Sequence, residues 1–128
     1  MDLKSSRGQA MVEMALILPV LLMLILSIVE FGLVFNHYLT LQNASREAAR
    51  SASIGASDAV AAERAREVSP QLDQARLTIV FSPTGGSRKR GDSVTVTVRY
   101  THQLITPVVS DWVGDAIVLE ASTRMRVE

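Results

Sequence analysis

The sequence predicts an α+β protein: a long N-terminal transmembrane helix continuing into a small domain with a short second helix and an approximately three-stranded antiparallel sheet. Three observations carry this. Between Glu13 and Glu30 lie sixteen residues without a charge, MALILPVLLMLILSIV. From residue 39 to 52 apolar side chains recur near helical spacing, and from residue 77 onward the period changes to two. The chain has 128 residues, enough for one small domain plus an appendage, and thirteen Lys and Arg balance thirteen Asp and Glu. That balance lacks the basicity of a dedicated nucleic-acid binder, and no nucleic-acid partner is expected. With no cysteine there is no disulfide framework, no thiolate nucleophile and no Cys-based metal site.

Residues 1–8 carry Lys4 and Arg7 against Asp2 and end in Gly8, so they read as a short polar leader with no fold of its own. Of the 26 residues from Ala10 to Phe35, 21 are apolar, and a segment hydrophobic on every face is a buried or spanning helix. The uncharged stretch alone covers ~24 Å of a ~30 Å hydrocarbon core. Met11, Val12, Phe31, Leu33, Val34 and Phe35 extend it, with Phe31, Phe35 and Tyr38 as interface anchors. Pro19 predicts a kink or local unwinding. Lys4 and Arg7 on one side face Arg46 and Arg50 on the other, so charge asymmetry orients the helix only weakly.

Beyond Phe35 the apolar positions Leu39, Leu41, Ala44, Ala48, Ala49 and Ala52 mark one face, with Arg46, Glu47 and Arg50 turned outward. Ile54-Gly55 supplies a stop, Ser57 a cap for a second helix from Asp58, and Val68-Ser69-Pro70 its end. Leu77, Ile79 and Phe81, then Val94 to Tyr100, then Ile117 to Val127 alternate as three strands, the first two joined by a polar hairpin turn with Pro83, Gly85, Gly86 and the run Arg88-Lys89-Arg90. Between the second and third strands, HQLITPVVSDWVGD reads as an irregular loop folded over the sheet, with Trp112 as its lid.

Glu13 is the informative residue. An ionisable group in a spanning helix costs a few kcal/mol unless paired, which marks it as a functional candidate. If the chain were cut after Gly8, Gln9 would become a free amino terminus about one helical turn away, and that ammonium, from the same or a neighbouring chain, would satisfy the carboxylate.

Polar leader, glycine, glutamate at the fifth following position and a long apolar helix together resemble a class III signal read by a prepilin peptidase. RGQAMVEMALILPVLLMLILSIVEFG with NASREAARSASIG resembles the TadE-like minor pilins and pseudopilins of the tight-adherence (Tad, Flp-type) pilus, most closely over residues 7–54, and IVLEASTRMRVE is similar to their last strand. The resemblance implies a leader at 1–8 removed by prepilin peptidase, a transmembrane helix at 9–35 and an extracytoplasmic pilin-like domain at 36–128. It implies Gly8, Gln9 and Glu13 as processing residues, and Glu13, Pro19, Arg46, Glu47 and Arg50 as helix-packing and assembly residues. Its implied partners are the peptidase, other major and minor pilins, the inner-membrane assembly platform and membrane lipid, and its implied place is the bacterial inner membrane with the C-terminal domain outside. Gln9 departs from the phenylalanine common at the first mature position of type IV pilins, and the length departs from the very short major Flp pilins.

Other readings stand beside this one. A plain anchor with a glutamate near the helix end, or a membrane-anchored module binding a ligand through its sheet and Trp112 loop, fits the same pattern. A conventional secretory signal fits less well, because the apolar run exceeds its usual length and no small-x-small site follows. Glu30 reads most simply as a solvated interfacial residue, with pairing to Arg46 of another chain as the second option. Arg88-Lys89-Arg90 reads as a solvated hairpin tip. His37 and His102, with no Cys or acidic cluster beside them in sequence, give no metal motif, and no cofactor is expected. The chain forms no nucleophile elbow, P-loop or paired-acid motif, so an enzyme is not expected.

Overall fold

A computed structural model describes residues 3–128, except for the side chains of residues 3–5 and 108; Met1 and Asp2 of the leader lie outside the described residues. Helix α1 runs from Leu3 to Ser53, α2 from Asp58 to Glu67 and α3 from Pro107 to Val113, with strands β1 (Leu77–Ser82), β2 (Ser93–Gln103) and β3 (Ala116–Arg126). The strands form one antiparallel sheet in the order β1-β2-β3. The α+β architecture expected from the sequence is the one observed.

At the standard rise, α1 is about 77 Å long. It is the one described helix long and apolar enough to cross a membrane, and its most apolar part has no protein cover. Two expectations about it are corrected. Residues 3–8, expected to have no fold of their own, are helical, because extending an existing helix adds a hydrogen bond per residue without a new nucleation cost. Of the kink or local unwinding expected at Pro19, the unwinding is absent, since the helix continues through it. The C-terminal stop is as expected: Gly55 adopts φ +92°, and the Gly55 and Ala56 amides donate to the Ala52 and Ser51 carbonyls. Ser57 then caps α2, its hydroxyl accepting from the Val60 amide.

The core forms where the sheet and α2 close on the outer half of α1. Leu41, Ala44, Ala48, Ala49 and Ala52 are buried there against Ala61 and Ala65 of α2 and the inner sheet face, Leu77, Val94, Val96, Val98, Tyr100 and Ala121. Alanine at the meeting positions lets the elements approach closely, since interaxial distance follows side-chain size. Leu39, assigned to this face from spacing, is instead about half exposed, and Thr40 is buried in its place, held by the Gln71 amide group at 2.8 Å.

Register sets the sheet's direction. Ser45 Oγ lies 2.7 Å from Thr123 Oγ1, and the Glu128 amide donates to the Ser53 carbonyl at 2.9 Å. Ile117, at the other end of β3, lines a groove with Ser27, Phe31 and Val34. β3 therefore runs parallel to α1, and the β2–β3 connection lies at the level where the uncharged stretch ends.

That connection is not the irregular loop expected. Residues 107–113 form α3, with Pro107 in its first turn and Gly114 at φ +98° beyond its end, the usual punctuation of a short helix. Nor is Trp112 a lid on the sheet: it is 89% exposed. Val109 of α3 lines a groove with Ser27, Phe31 and Val34 of α1 and with Leu104 and Ile117. The hairpin tip is also more structured than a solvated turn. Arg88 is nearly buried, pairs with Asp58 of α2, donates to the Pro83 carbonyl at 2.9 Å and sits over the Phe81 ring.

Candidate functional site

Two regions carry charge where apolar surroundings make it costly. The first is the start of α1. Gly8, Gln9 and Glu13 are all exposed, and a Cβ at Gly8 would meet nothing within 4 Å. Along the helix Gln9 and Glu13 are one turn apart, and the Gln9 side-chain amide donates to Glu13 Oε1 at 3.4 Å. This long contact joins a neutral amide to a carboxylate that projects from a helix otherwise apolar as far as Glu30. Pro19 is exposed one and a half turns further on. Of the remaining expected assembly residues, Arg46 and Arg50 are exposed and Glu47 is half-buried; Glu47 and Arg50 share an open groove with Val60 and Arg64 of α2. The alanines between them face the core, so the charges point outward as spacing predicted. These assembly residues are not brought to Glu13: they lie more than thirty positions along the same rod.

The second region was not foreseen. Glu30, expected to be solvated, is 5% exposed and takes four hydrogen bonds. His102 Nε2 donates to Oε1 at 2.8 Å; the Ile105 amide at 2.8 Å, the Thr106 amide at 3.0 Å and the Thr106 hydroxyl at 3.0 Å all converge on Oε2. Two successive backbone N–H groups make a small anion nest. Thr106, the residue that caps α3, makes no side-chain cap bond; its hydroxyl is given to Glu30 instead. Because the His102 nitrogen facing a carboxylate must carry the proton, its Nδ1 is left as an acceptor, and His37 Nδ1 lies 3.1 Å from it, placed to donate.

The result is a chain from α1 through β2 and back to α1: His37 to His102 to Glu30. The His37 ring also meets Tyr100 and His102 edge-on, at 5.3 and 5.0 Å between centroids. Burial, and secondarily the neighbouring His102, hold the His37 imidazole below its usual pKa range, consistent with a neutral donor. Among the described residues no group of three or more His, Cys, Asp or Glu side chains is placed to hold a metal ion. Sequence gave no sign of the clasp, since Glu30 and its partners lie 72 to 76 positions apart. The one local signal is an acid in an apolar context, a feature Glu30 shares with Glu13.

This geometry does one mechanical thing well. It fixes the end of the sheet nearest the apolar stretch to α1 with a charge-assisted bond set that satisfies the Glu30 carboxylate at the edge of that stretch.

No curated protein and no solved structure matches the chain. The model of the family described as TadE-like protein matches residues 8–50, a stretch that begins at Gly8, takes in Glu13, Pro19 and Glu30, and ends at Arg50; over that stretch, about a third of its length, the chain is similar to this family.

Proposed function

We propose that the protein is a minor pilin or pseudopilin of a Tad pilus, inserted as a bitopic precursor, cut after Gly8 by prepilin peptidase, and acting in pilus assembly or priming and in surface attachment. The observation that carries this reading is Glu13: a carboxylate on an exposed apolar helix face, one turn from Gln9, whose contact among the described residues is the long 3.4 Å one from the Gln9 amide group. Cleavage after Gly8 turns Gln9 into an ammonium terminus, and packing of apolar helices removes the water that would otherwise solvate the acid. An ammonium–carboxylate pair between neighbouring subunits then forms only in the assembled array, so the same pair favours assembly and sets axial register.

The domain outside the membrane is held rigidly to the helix by the Glu30 clasp, so position in the array fixes the position of the sheet. No nucleotide-binding motif is present in the sequence, and the energy for assembly is assigned to the platform and its ATPase. The test is Glu13→Ala: pili or pilus-dependent attachment should fall while the domain keeps its fold and the precursor still inserts. Normal attachment with this variant would sink the assembly role.

A further inference from the structure

We propose that the membrane-proximal end of the domain, from Leu104 to Gly114, rests in the lipid headgroup layer, with Trp112 and Ile105 inserted where headgroups meet acyl chains. This rests on α1 being a membrane span. The twenty residues from Met11 to Glu30 rise about 30 Å, the thickness of a hydrocarbon core, which places Glu30 at the exit boundary. Glu30 holds the Ile105 and Thr106 amides by direct hydrogen bonds, so the segment leading into α3 is fixed at that depth.

The side chains presented there are the wrong ones for water. Trp112 is 89% exposed, Ile105 68% and Val113 59%, whereas the outer face of the sheet above them carries Thr95, Thr97, Arg99, Glu120 and Ser122. An indole suits the interface because its ring is apolar and its N–H finds headgroup acceptors. Charge selects the lipid class. Between Arg99 and Arg124 there is no Lys or Arg, and α3 and its exit carry Asp111 and Asp115. Contact is therefore made by apolar insertion among zwitterionic headgroups, without the basic residues that draw amphipathic helices to anionic membranes. The surface is continuous with the bare apolar flank of α1, through the groove lined by Phe31, Val34 and Val109.

Trp112 is the protein's single tryptophan, so its fluorescence reports this site alone. The full chain is reconstituted into phosphatidylcholine vesicles, with and without lipids brominated near the carbonyl end of the acyl chain. The expected result is blue-shifted emission, at least about twofold quenching by the shallow bromines, and little access for acrylamide. Adding phosphatidylglycerol should not increase the quenching. The double variant Ile105→Ser, Val113→Ser should weaken bromine quenching and restore acrylamide access while α1 stays integrated.

Integrated protein whose Trp112 emits as in water, open to acrylamide, would overturn the proposal and leave the span intact. Blue-shifted emission that ignores the bromines and grows with protein-to-lipid ratio would overturn it in favour of a second copy covering the patch. A chain that alkaline carbonate strips from the vesicles would overturn the membrane span and this proposal together.

Discussion

Replacing Glu30 separates a structural clasp from an incidental contact, and the size of the effect follows from the bonds involved. Glu30→Ala removes the acceptor for two backbone amides, an imidazole N–H and a hydroxyl, all directed into a site that is 5% exposed. The hydroxyl and imidazole can turn elsewhere, but the Ile105 and Thr106 amides cannot. Two stranded donors and a cavity put the cost at about 3 to 5 kcal/mol. Glu30→Gln behaves differently. Its carbonyl oxygen can occupy the Oε2 position and keep three of the bonds, while its NH2 faces His102 Nε2. That clash is relieved if His102 shifts its proton to Nδ1 and His37 becomes the acceptor, so the cost falls to about 1 to 2 kcal/mol. The assay is amide hydrogen exchange on the full chain in detergent micelles, read at Ile105 and Thr106. For Glu30→Ala, 3 kcal/mol corresponds to exchange faster by roughly a hundredfold at these amides. Exchange within about twofold of the parent protein would refute the reasoning, because the clasp would then contribute nothing to holding the segment closed.

Three further predictions follow from the core, the hairpin and the histidines. Leu41→Ala, at a fully buried position under the sheet, should lower stability by about 2 to 5 kcal/mol in urea unfolding followed by circular dichroism; Val80→Ala, on the exposed sheet face, should stay within roughly 0.5 kcal/mol. Arg88→Ala should cost about 2 kcal/mol, by stranding Asp58 and uncovering Phe81, and Arg88→Lys should restore only part of it because the planar group that reaches the Pro83 carbonyl is lost. His37 has its folded pKa below the ordinary 6.5, first through burial and then through His102. The unfolded chain therefore takes up the proton first on acidification, and stability present above the ordinary value is lost as pH falls from there toward the folded pKa. His37→Gln should flatten this dependence in urea midpoints compared at about pH 7.5 and about pH 5.5; an unchanged slope would show that His37 is not its source.

What sequence made legible follows from range. The apolar run, the stop at Gly55, the Ser57 cap and the alternation of Val94, Val96 and Val98 are local patterns, and each appears where spacing placed it. The Glu30 clasp joins α1 to β2 and the start of α3, and nothing near Glu30 in sequence indicates His102 or Thr106. Pro107 after Thr106, with Gly114 seven residues on, was a usable helix signature at α3, but apolar residues between them read as loop cover. Nothing local to Trp112 tells a large aromatic that covers a sheet from one that stands 89% exposed on a short helix. Arg88 was legible as a charge in a turn, whereas its partner Asp58 lies thirty residues earlier.

The central claim is that Gly8 is a processing site whose cleavage gives Glu13 its counter-charge. It is tested most directly by the intact mass and N-terminal sequence of the protein recovered from membranes of cells with and without their prepilin peptidase. A chain starting at Gln9 is expected when the peptidase is present and one starting at Met1 when it is absent. A chain starting at Met1 in both would contradict it and leave a plain membrane anchor, and a start beyond residue 30 would contradict it in favour of a released domain.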